Sequence, residues 1–182
     1  MSYKHLKDNK GFTLMEMAVS LILLGIIVAA VYTFFNYGNS TFVKDNQQFD
    51  LQSAARLDMD KIISSVKFSD EIYLIENKPT DLEKENSTYS YIYIENGVIY
   101  FSLYDSSSAQ REEAVSKGTY LLSDSYFAKD IDSTITLVVR ISSKYNSQTY
   151  NIDSKVEITN LNLKTPTSSV QGLATSKCIK FK

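Results

Sequence analysis

Apolar positions fall along this chain in three successive patterns. From Phe12 to Phe35 there are 24 residues, and Glu16 is the only charge among them. A run of that length spans a hydrocarbon core, for which roughly 20 apolar residues suffice. Past Gly38 the pattern turns amphipathic, with Leu51, Ala55, Met59, Ile62 and Val66 at steps of four and three. Such spacing predicts one apolar face of a helix. No proline interrupts Phe12–Val66, so a helix from Phe12 to about Val66 is expected, roughly 80 Å long at 1.5 Å per residue. Gly38-Asn39-Ser40 is a place where it can loosen.

After the helix the period changes to two. Ile72–Ile75 reads as a first strand. Tyr89–Glu95 and Val98–Tyr104 flank Asn96-Gly97, the pair that favours a type I′ hairpin turn. Residues 76–88 read as a loop, residues 105–117 as a loop or short helix, and Tyr120-Leu121-Leu122 as a short strand. Ile135–Ile141 and Gln148–Ile158 read as strands joined at Asn146-Ser147, with Tyr150, Ile152, Val156 and Ile158 on one face. Residues 164–177 are polar, and Ile179 and Phe181 close the chain as an expected edge strand. The fold class this order predicts is α+β: a long N-terminal helix, then an antiparallel sheet wrapped on its C-terminal half.

Composition narrows the function. The 182 residues carry a net charge of −2 with no Lys/Arg cluster, so nothing points to nucleic acid. Tyrosine is abundant (13) and proline scarce (2), which suits a β-rich domain with a polar outer surface. Cys178 is the only cysteine. No intrachain disulfide can form, so the fold rests on packing, with Cys178 read as a small buried residue. Asp130 and Asp132 are close carboxylates, but a calcium loop wants more oxygen ligands and a turn glycine; a solvated loop is the plainer reading. Tyr89, Tyr91, Tyr93, Tyr100 and Tyr104 are read as cross-strand packing pairs. Asp58 and Asp60 are read as solvated helix charges. No metal site and no cofactor site is expected.

The leader is where chemistry concentrates. Lys4, His5, Lys7 and Lys10 precede Gly11, then Phe12-Thr13-Leu14-Met15-Glu16 opens the apolar run. A first-turn glutamate offsets the helix dipole, but a carboxylate within a membrane segment also asks for a partner. The stretch Gly11-Phe12-Thr13-Leu14-x-Glu16 resembles the class III signal of type IV prepilins and type II secretion pseudopilins. The resemblance covers about residues 10–37. It implies cleavage by a prepilin peptidase after Gly11, methylation of the new amine of Phe12, and assembly through Glu16. Within one helix that amine and Glu16 cannot easily meet; in a stack of helices, Glu16 of one subunit can pair with Phe12 N of the next. The family also implies a helix packed on a sheet, and as partners other pilin or pseudopilin subunits, a membrane assembly platform and a cytoplasmic ATPase, with the lipid bilayer as surroundings before assembly. Residues 54–63 resemble, in composition, the long helix of minor subunits of the W or J type.

The expected organisation is therefore a leader at 1–11, a transmembrane and assembly helix at 12–37, and an exported globular domain at 38–182. Three lysines before Gly11 and none from 12 to 43 put the N-terminus in the cytoplasm. An ordinary secretory signal is the rival, but Asn36 fits its cleavage site poorly. His5 is the only histidine; its loss with the leader would exclude Ser-His-Asp catalysis and histidine-ligated metals. The expected function is a minor pilin or pseudopilin that primes, caps or modifies a filament and is not an enzyme. The alternative is a membrane-anchored extracellular binding protein that joins no filament.

Overall fold

The structure, a computed structural model, describes residues 12–80, 88–104, 111–114, 124–146, 148–164 and 169–182. The chain divides into two units, Met1–Asp45 and Asn46–Lys182. Helix α1 spans Leu14–Val66, as the apolar run and the following amphipathic pattern predict. In the first unit its large apolar side chains stay uncovered: Leu21, Ile26, Val31, Phe34 and Phe35 are all exposed. It is the one helix among the described residues long and apolar enough to cross a membrane.

In the second unit the same helix buries Leu51, Ala55, Met59, Ile62 and Val66, the five positions the spacing picks out. Asp58 is buried beside them, 7% exposed, which corrects its reading as a solvated charge. Its place on the helical wheel explains this: it lies one turn from Ala55 and Ile62, on the inward face.

Ten strands follow among the described residues. They form two sheets, ordered β4-β3-β2-β10-β1-β8 and β7-β6-β5-β9, where one antiparallel sheet was expected. The first contains β1 (Ile72–Ile75), β2 (Ser90–Glu95), β3 (Val98–Leu103), β4 (Arg111–Ala114), β8 (Gln171–Gly172) and β10 (Cys178–Phe181). The second contains β5 (Tyr126–Lys129), β6 (Thr136–Tyr145), β7 (Gln148–Glu157) and β9 (Thr175–Ser176). Both sheets share one core with α1, in which Phe101 and Phe127 are fully buried. The α+β class holds.

Several local features follow the pattern. Asn96 and Gly97 take φ of 49° and 76°, as a type I′ turn requires. Asn146, at φ 53°, turns β6 into β7; Ser147 lies outside the described residues, as does Tyr120-Leu121-Leu122. Others differ. The closing strand β10 is no edge: it pairs with β1 on one side and β2 on the other. Ile179 and Phe181 point into the core, so an edge would leave them half-covered. Residues 111–114 form a strand. Within the polar stretch before β10, Val170 is buried, and β8 runs parallel to β1. A short helix α2, Thr159–Lys164, was not anticipated. Its start closes the end of α1: Thr159 N donates to Lys67 O and Asn160 Nδ2 to Phe68 O, supplying donors that terminal helix carbonyls lack.

Candidate functional site: the start of the apolar helix

The described chain begins at Phe12, so Gly11 and the leader lie outside it. Phe12 and Thr13 are non-helical, and α1 begins at Leu14. Thr13 is the N-cap. Its backbone N–H and its hydroxyl both donate to Glu16 Oε2 at 2.9 Å, and its Oγ1 accepts from Glu16 N at 3.2 Å. This is a reciprocal capping box, threonine bonding forward and glutamate back, which satisfies orphan donors of the first turn. The sequence carries the signal, a Thr three residues ahead of a Glu, which neither the dipole nor a partner on another molecule accounts for.

The surroundings are wholly apolar and uncovered. Phe12, Leu14 and Met15 are 81%, 89% and 72% exposed. Further along, Thr33 Oγ1 donates to Ala29 O and Asn36 Nδ2 to Tyr32 O. These polar side chains return their hydrogen bonds to their own helix, which is how such groups persist in an apolar segment. Glu16 differs from them. An ionised carboxylate has about four acceptor positions, and Thr13 uses one oxygen of the two. Glu16 thus holds its own helix start and keeps Oε1 for another donor. Chemically the arrangement offers one carboxylate, and among the described residues no group of ligating side chains could hold a metal.

Four of the five striped tyrosines, Tyr89, Tyr91, Tyr93 and Tyr100, pack together as expected. Tyr93 lies opposite Tyr100 in the β2–β3 register, and their rings stack at 5.2 Å. Tyr91, Tyr93 and Cys178 form a small buried cluster on the sheet face away from the core. Tyr89 OH donates to Glu71 at 2.6 Å; that bond, with burial, pushes its pKa up to about 12. Tyr104 is exposed and joins no such pair. The structure places Asp130 in an ion pair, with Lys155 Nζ 2.9 Å from its Oδ1. The hydrogen bond from Lys155 holds its carboxyl below the usual range. Asp58 is the opposite case: burial pushes its pKa up to about 6, against the pull of Lys61.

Residues 6–32 match the family model of the prokaryotic N-terminal methylation motif. Gly11, Phe12 and Glu16 all lie inside the matched stretch. The match supports a type IV prepilin-like protein at this end. The match stops at residue 32, short of residues 54–63, where the likeness to W or J type subunits rests. Compared over its whole length, the prepilin-like chain matches no curated protein and no solved structure. The motif points to a structural protein, and the apolar helix it opens is the one described element suited to a membrane.

Proposed function

We propose that this chain is a minor pilin or pseudopilin, a structural subunit that primes, caps or modifies a helical filament. A prepilin peptidase cuts after Gly11 and methylates the new amine of Phe12. Residues 12–37 hold the chain in the bilayer, N-terminus in the cytoplasm, until a platform protein and an ATPase move it into the filament, and residues 38–182 stand outside the membrane. The observation that carries this reading is the methylation motif at residues 6–32 opening directly onto an uncovered apolar helix. That helix exposes phenylalanine, leucine and isoleucine side chains that only lipid or neighbouring helices can cover.

Assembly uses the carboxylate already in place. Once Phe12 carries a free amine, Glu16 of one subunit pairs with Phe12 N of the next. The bond to Thr13 Oγ1 fixes where the carboxylate sits on the helix, so the pair sets the stagger between subunits. Intact-mass measurement of protein extracted from membranes with an active peptidase tests this. A chain starting at Phe12 with one extra methyl is expected. A chain that keeps residues 1–11 overturns the reading and favours a plain membrane anchor for an extracellular binding domain.

A further inference from the structure

We infer that the second unit carries a carbohydrate-binding groove at the corner where its two sheets meet. Three adjoining cavities of about 580, 300 and 200 Å³ share Glu76 in their walls. They surround the loop that follows β1. The largest is lined by Glu76, Tyr126, Leu173, Thr175, Ser176 and Lys177. Asn77 and Lys78 line both smaller ones, beside Tyr91 in one and Tyr93 in the other. A pocket of this size with an aromatic wall and a few convergent polar groups suits a small organic ligand.

The walls are held before any ligand arrives. Arg140 sits 5.2 Å from the Tyr126 ring and is itself clamped by both carboxylate oxygens of Asp153. Leu173 N donates to Leu74 O, and Lys129 N to Ala174 O. Ser176 Oγ accepts from Cys178 N and donates to Ile75 O. A fixed site loses little freedom on binding.

The chemistry of the lining selects the class. Sugars offer C–H faces to an aromatic ring and hydroxyls to carboxylate, amide and ammonium groups. Tyr126 and Leu173 supply the first; Glu76, Asn77, Thr175 and Lys177, all exposed, supply the second. Other classes fit less well. Strand addition by a peptide needs an open sheet edge, and β8 and β9 are two residues each. Single-stranded nucleic acid needs a positive groove, whereas Lys78, Lys177 and Lys180 share these walls with Glu76 and Glu95, and Lys78 is paired with Glu95. An acyl chain would meet only one aliphatic side chain, Leu173, in the largest cavity.

The test is independent of cleavage and filament formation. The full chain in nanodiscs is offered a printed panel of neutral hexose, N-acetylhexosamine and uronic-acid oligosaccharides, followed by saturation-transfer NMR. Retention of at least one class at about 1 mM is expected. Glu76→Gln and Tyr126→Ala should each weaken it about tenfold, while Leu57→Ser, on an exposed helix position lining none of the cavities, leaves it unchanged. If Tyr126→Ala does not fold, Glu76→Gln on the surface loop decides alone. Retention of no class at that concentration, or undiminished retention by Glu76→Gln, overturns the inference.

Discussion

Two of the carboxylates on one helix stand in opposite circumstances. Glu16 stands among exposed apolar side chains and is held by Thr13 three residues away. Asp58 is enclosed by the second unit, where Ala55, Met59 and Ile62 face the two sheets. The first acid lacks burial because its unit supplies no cover for the helix. The second is buried because its unit supplies too much. The contrast shows how one secondary structure meets two settings: residues 14–45 leave their apolar surface uncovered, while residues 46–66 bury one apolar face, Leu51, Ala55, Met59, Ile62 and Val66, within the chain.

The sharpest way to break the contrast is to remove each acid. Glu16→Ala should insert and lose its leader as before, yet enter filaments at least about tenfold less, since a free amine left without its acid is costly in an apolar stack. Blotting sheared filaments against membranes reads this; undiminished incorporation would sink the pairing. Thr13→Ala removes only the capping box, so its defect should be much the smaller of the two.

The apolar positions of α1 and the Asn96-Gly97 hairpin were legible because each rests on local chemistry, periodicity in one case and positive φ in the other. What escaped was set by distant chain. Nothing local in Cys178-Ile179-Lys180-Phe181 says that Tyr91 and Tyr73 flank it on either side. Division into two sheets hides in the same way, since Phe101 and Phe127 alternate alike. At the site, Gly11, Phe12 and Glu16 were legible as a motif, and the methylation-motif match covers all three. The hold of Thr13 on Glu16 is readable in the same motif, as a Thr three residues ahead of a Glu. Asp58 was misread because a charged residue at a core position runs against the usual distribution.

Two substitutions test how far the second unit depends on its own packing. Phe101→Ala empties a fully buried site and should cost about 3–5 kcal/mol, measured by urea unfolding of a fragment beginning near residue 38. The same change at Phe42, exposed in the first unit, should leave that transition where it was. Gly172→Ala comes next. Gly172 sits at φ +89°, and a Cβ there would strike the Leu74 carbonyl oxygen. The neighbour is backbone and cannot swing aside, so β8 must detach from β1. A loss of about 2–3 kcal/mol is expected, with early exchange of the Leu173 amide.

Asp58 gives the smallest effect and the one with a distinctive pH signature. Its folded pKa, about 6, stands above the ordinary 3.8. A raised carboxyl pKa means that the folded state binds a proton more readily than the unfolded state. Stability therefore rises as pH falls through about 6 toward 4, and the ionised acid is a burden at neutral pH. Two pKa units correspond to about 3 kcal/mol at most, and relaxation of the site should reduce this to about 1–2 kcal/mol. Lys61 does little to lower the burden, because its ammonium also meets Glu113 at 3.2 Å and lies over the Phe101 ring. Asp58→Asn should remove the slope between pH 4 and 7 and raise the melting temperature at pH 7.5, while Asp60→Asn, on the exposed side of the helix, should change neither. A slope that survives in Asp58→Asn would mean that another group carries the proton, and the contrast between the two acids would then rest on Glu16 alone.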